Sequence, residues 1–163
     1  MERRFENVRI WMWRYKSSRG GLADYIHFMA DTTSWDVLID SLRELGSSRT
    51  TKVRTFPARE LAIQHDPTGF DESYSWFGKF RLEIVADDDS LKQMALTFDG
   101  GMATLTVHPA FIPKVIETFE SVRAGGWDFG FGPETRRRSP FGVGDRDKQS
   151  LAFMFWQPLR GTQ

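Results

Sequence analysis

Two stretches of this chain place apolar residues at helical spacing, and each is bracketed by residues that alternate at period two. Trp35, Leu38, Ile39, Leu42 and Leu45 fall at i, i+3, i+4, i+7 and i+10, and Ile112, Val115, Ile116, Phe119 and Val122 form a second stripe. Such stripes must be buried against another element, and with strand-period segments all around them the only cover is sheet. The expected fold class is therefore α+β: a mainly antiparallel sheet of about seven to eight strands carrying two amphipathic helices.

The helix ends carry their own signals. Thr33 followed three residues later by Asp36 predicts a capping box with a shortened acid, and Gly46 is placed to close that helix in the left-handed conformation. The second helix opens near Pro109 or Pro113 and closes at Gly125-Gly126. His108, just before Pro109, is placed to cap the entrance.

Strands are predicted where the period drops to two. Val8 to Tyr15 puts Val8, Ile10 and Met12 on one side and Trp11, Trp13 and Tyr15 on the other, as a central strand covered on both faces does. Tyr25 to Ala30 follows as its hairpin partner. Arg49 to Phe56 runs up to Pro57, Phe80 to Ala86 ends in an acidic turn, and Met94 to Val107 folds back at Asp99-Gly100-Gly101, where Asp-Gly supplies the positive φ of a tight turn. Trp127, Phe129 and Phe131 pair with Leu151 to Trp156 across the 18-residue loop Gly132 to Gln149. Pro57 to Ser75 reads as a long connection, with a short strand around Leu61 to Gln64.

The order strand, strand, helix, strand occurs in residues 7–57 and again within 79–158, the halves being joined by 58–78. This predicts a tandem ββαβ duplication within one domain spanning 1–163. Residue identity adds little: Pro57-Ala58-Arg59 and Pro158-Leu159-Arg160 each follow a strand ending in an aromatic residue.

Composition narrows the function classes. A chain of 163 residues buries about two-thirds of its unfolded surface, so a real core is expected. Zero cysteines exclude disulfides, thiol nucleophiles and Cys-ligated zinc, and fit a reducing, cytoplasmic setting. No run approaches the ~18 apolar residues of a membrane span, and the start lacks the apolar stretch of a secretory signal. Net charge is zero, so no global field draws the chain to nucleic acid or anionic lipid. The charge is uneven, however: residues 61–120 carry an acidic excess between two basic ends. That distribution fits either a solvated surface or complementary patches joining two protomers, and a homodimer is one of the expected assemblies.

No catalytic or metal signature stands out. His27, His65 and His108 are far apart, with no HxH or HExxH pair, so no metal or cofactor is expected. There is no nucleophile elbow for serine chemistry. Gly130-Phe131-Gly132 and Gly142-Val143-Gly144 do not continue into a phosphate-binding loop. Arg136, Arg137 and Arg138 beside Trp127, Phe129 and Phe131 resemble the cation-plus-ring pattern of single-stranded nucleic-acid binders, but Glu134, Asp145 and Asp147 offset them.

Three readings follow. The leading one is a small bacterial-type cytoplasmic partner protein, an immunity or adaptor factor, leaning away from enzyme. It docks through Trp11, Trp13, Tyr15, Trp127, Phe129, Phe131, Arg136, Arg137 and Arg138. The second is a hydrolase or isomerase using His27, His65, Asp66 and Asp71. The third is single-stranded nucleic-acid binding through Arg136 to Arg138. No membrane partner is expected.

Overall fold

The computed structural model describes residues 5, 7–15, 25–47, 50–60, 74–85, 94–126, 129–131, 152–156 and 158. Their element order is β1 (Ile10–Tyr15), β2 (Tyr25–Ala30), α1 (Thr32–Gly46), β3 (Lys52–Pro57), β4 (Tyr74–Trp76), β5 (Lys79–Ile84), β6 (Met94–Asp99), β7 (Met102–Val107), a 3-10 turn (Pro109–Phe111), α2 (Ile112–Arg123), β8 (Phe129–Phe131) and β9 (Ala152–Phe155). The fold is α+β. No described helix is long and apolar enough to cross a membrane. The short strand expected around Leu61 to Gln64 lies outside the described residues.

The single, mainly antiparallel sheet is not what forms. The strands divide into a five-stranded sheet, β4-β1-β2-β9-β8, and a four-stranded sheet, β3-β5-β7-β6. Each is mixed: β2 runs parallel to β9 and β5 parallel to β7, while the remaining neighbours are antiparallel. The tandem ββαβ duplication fails for the same reason. Such a unit needs the strand after each helix to return to its own hairpin. Here β3 leaves the β1–β2 hairpin for β5, and β9 leaves β6–β7 for β2. Period-two alternation marks a strand but carries no information about its neighbour.

The crossing is driven by one shared core. The inner faces of both sheets and the stripes of both helices belong to one contiguous buried cluster from Val8 to Phe155. Phe28 and Phe153 of the first sheet meet Phe80 of the second at 5.3 and 6.0 Å between ring centroids. Trp35 of α1 touches Phe28, Phe119 of α2 and Phe155 at 5.0–5.5 Å. Every residue of the α1 stripe is buried, as are Ile112, Val115, Phe119 and Val122 of α2, with Ile116 packed at the margin.

Helix ends differ in detail from the sequence reading. The α1 N-cap is Asp31, whose carboxylate accepts from Ser34 N at 2.8 Å. Asp36 instead pairs with Arg123 of α2, holding that guanidinium above its ordinary pKa, chiefly through the hydrogen bond. Gly46 is the last helical residue rather than the cap, which is Ser47. A Cβ on Gly46 would lie 2.8 Å from Ile112 Cδ1, so glycine serves close approach of the helices there. His108 does cap, accepting from Ala110 N at 3.1 Å.

Candidate functional site

The register places Trp76, Trp13, His27 and Met154 side by side across β4, β1, β2 and β9, on the outer face of the five-stranded sheet. Trp13, Tyr15, Met29 and Trp156 form a second buried cluster there, with Trp11 and Met154 half-buried against it. The expected outer row of Trp11, Trp13 and Tyr15 is therefore real but covered within the chain, and Trp13 and Tyr15 are not free surface.

His27 sits inside this cluster. Its ring stacks on Trp13 at 5.5 Å and on Trp156 at 5.8 Å, and Tyr15 meets it edge-on at 4.8 Å. Trp156 Nε1 donates to His27 Nδ1 at 2.9 Å. An indole N–H can only donate, so Nδ1 is the acceptor in this bond, which ties the histidine into the packing of the sheet.

The exposed end of the row is built by a sheet corner. The chain passes from β4 in one sheet to β5 in the other through two residues, Phe77 and Gly78. Phe77 N donates to Met12 O of β1 at 3.0 Å, and Gly78 N donates to Gly101 O of the β6–β7 turn at 2.8 Å. Phe77 is buried, with its ring 5.8 Å from Phe98. Alternation along the chain then turns Trp76 outward, and the indole lies against the Gly78 backbone, 3.6 Å from where a Cβ would stand. Gly100, at φ 58°, lets the opposing hairpin turn tightly enough to complete the corner.

Shallow clefts lie on either side of Trp76. One, of about 530 Å³, is lined by Trp76, Gly78, Lys79, Gly101 and Met102. The other, of about 390 Å³, is bounded by Arg14, Ser75, Trp76, Phe77 and Phe98. The Arg14 guanidinium stands 5.0 Å from the Phe98 ring centroid, a cation–π contact. Trp76 and Phe98 are 45% and 40% exposed, two of the three large apolar side chains left open among the described residues; the third is Val53. Neither lining contains a histidine or a carboxylate. Among the described residues, no group of His, Asp or Glu side chains gathers as metal ligands do.

The remaining sequence candidates are not brought to this corner. Phe129 and Phe131 lie on β8, opposite Phe155 and Phe153. Trp127, Arg136, Arg137 and Arg138, like His65, Asp66 and Asp71, fall outside the described residues. Sequence reasoning missed Trp76, Phe98, Arg14 and Lys79 as a group. The signal present was Trp76-Phe77-Gly78, adjacent bulky rings before a glycine, which marks a strand stopping at a corner. No family model, curated protein or solved structure matches the chain, so the site stands on its own geometry.

Proposed function

We propose that this chain is a non-catalytic protein-binding module of the immunity or adaptor kind, cytoplasmic, which docks its partner on the corner around Trp76. One observation carries the reading: Trp76 and Phe98 are exposed on one seam flanked by Arg14 and Lys79. Trp and Arg are the residue types that dominate binding energy at protein interfaces, and large apolar rings held in water are destabilising unless a partner covers them. Trp127, and Arg136, Arg137 and Arg138 of the stretch Gly132 to Gln149, belong to the proposal on sequence grounds alone. The competing hydrolase or isomerase reading would draw on His27, which lies in the buried aromatic cluster with its Nδ1 accepting from Trp156 Nε1.

The test is recovery of the tagged chain from the cell that makes it, alongside Trp76→Ala and Lys79→Glu. The expected result is a stoichiometric protein partner with the native chain and its loss with both variants, their circular dichroism unchanged. Retention of that partner by both variants, or recovery of a small molecule with no protein, overturns the proposal.

A further inference from the structure

The described strands leave four sheet edges, and they differ in the features that keep edge strands from pairing with foreign chains. The described spans of β4 and β8 are three residues each. β3 carries Lys52 and Arg54 and ends at Pro57, with Arg54 held by Glu44 at 2.9 Å and by Ser41 at 3.1 Å. β6 has the least protection, its one charge being Asp99 at the turn end. It is six residues long, uncharged and proline-free from Met94 to Phe98, and no described strand pairs with its outer side.

A second feature meets the first at this edge. The register aligns Phe56, Phe80, Ala103 and Phe98 across β3, β5, β7 and β6 on the core-facing side. The first three are fully buried, whereas Phe98 is 40% exposed. The row continues to the last described strand of the sheet, where Phe98 packs on Phe77 and under Arg14 but has no described strand beyond it.

We propose that β6 pairs antiparallel with β6 of a second copy, joining two four-stranded sheets into one of eight. A two-fold axis perpendicular to the sheet preserves its faces, so it must centre on a residue, Leu96 or Thr97. Centred on Leu96, Phe98 lies opposite the second copy's Met94 and Ala95 opposite its Thr97. Centred on Thr97, Phe98 lies opposite the second copy's Leu96. Either register covers the open ring with an apolar side chain and opposes no like charges, and a chain of zero net charge does not repel its copy. This self-complementarity favours a second copy over a foreign strand. One strand pair buries far less than the roughly 1,200 Å² at the lower end of stable interfaces, so the dimer belongs to the weak, concentration-dependent class.

Sedimentation of the purified full chain from micromolar to about 1 mM reads the association. The expected mass rises from 18.8 kDa toward twice that value. Ala95→Lys/Thr97→Lys, on the outer face and away from the core, is expected to weaken it at least tenfold with unchanged circular dichroism. The chain has no cysteine, so Ala95→Cys/Thr97→Cys gives a clean second readout. Both registers bring cysteines of the two copies face to face, and oxidation by copper phenanthroline is expected to give a covalent dimer that reductant dissolves. A monomer mass across the whole range overturns the proposal. So does a dimer that keeps its affinity in the lysine variant while the cysteine variant fails to cross-link. Trp76→Ala leaves this association intact, which separates its outcome from that of partner docking.

Discussion

Trp13 and Trp76 stand next to each other on paired strands, yet truncating them should have very different consequences. Trp13 is fully buried, and its Nε1 has no hydrogen-bond partner among the described residues, so its contribution is packing alone. A buried Trp removes about 150–250 Å² from water, worth about 4–6 kcal/mol at ~25 cal/mol per Å². Truncations of this kind cost about 3–5 kcal/mol. Against a total stability of about 5–15 kcal/mol, Trp13→Ala takes a large share. Trp76 keeps 45% of its surface in water, so the same arithmetic gives about half the transfer term and no enclosed cavity, about 2–3 kcal/mol. Urea denaturation followed by circular dichroism measures both, provided the slopes agree. A gap of at least about 1 kcal/mol between the variants is expected. Equal costs, or a Trp13→Ala cost under about 1 kcal/mol, refute the division of the row into a structural interior and an exposed docking end.

Two further perturbations test the local readings. Trp156→Phe keeps a stacked ring but leaves His27 Nδ1 without its donor, with an expected loss of about 1–3 kcal/mol in urea titration. Asp31→Ala removes the α1 cap and should cost about 1 kcal/mol by thermal or urea unfolding, whereas Thr33→Ala, at the position the sequence favoured, should cost less.

Local order was written in the sequence wherever it depends on a residue and its near neighbours. The stripes Trp35 to Leu45 and Ile112 to Val122 are buried helix faces, Asp99-Gly100 is a hairpin turn, and Tyr25 to Ala30 is a strand at the predicted bounds. Even the near miss at the α1 cap is local: Asp31 and Thr33 both suit the role, and only the geometry of Ser34 N selects one. The helical and strand periods state which face of an element is apolar, because side-chain direction repeats with the backbone.

Partners between elements were decided only by tertiary packing. Whether β3 returns to its own hairpin or crosses to β5 depends on how Phe28, Phe80 and Phe153 close one core between two sheets, and an apolar alternation is equally satisfied by either neighbour. The candidate site shows the same limit. Trp13 and Trp76 look alike as sequence, but the register sets one inside a covered cluster and leaves the other at a corner. Burial is a property of what lies across a strand pair, and nothing in the residue itself records it.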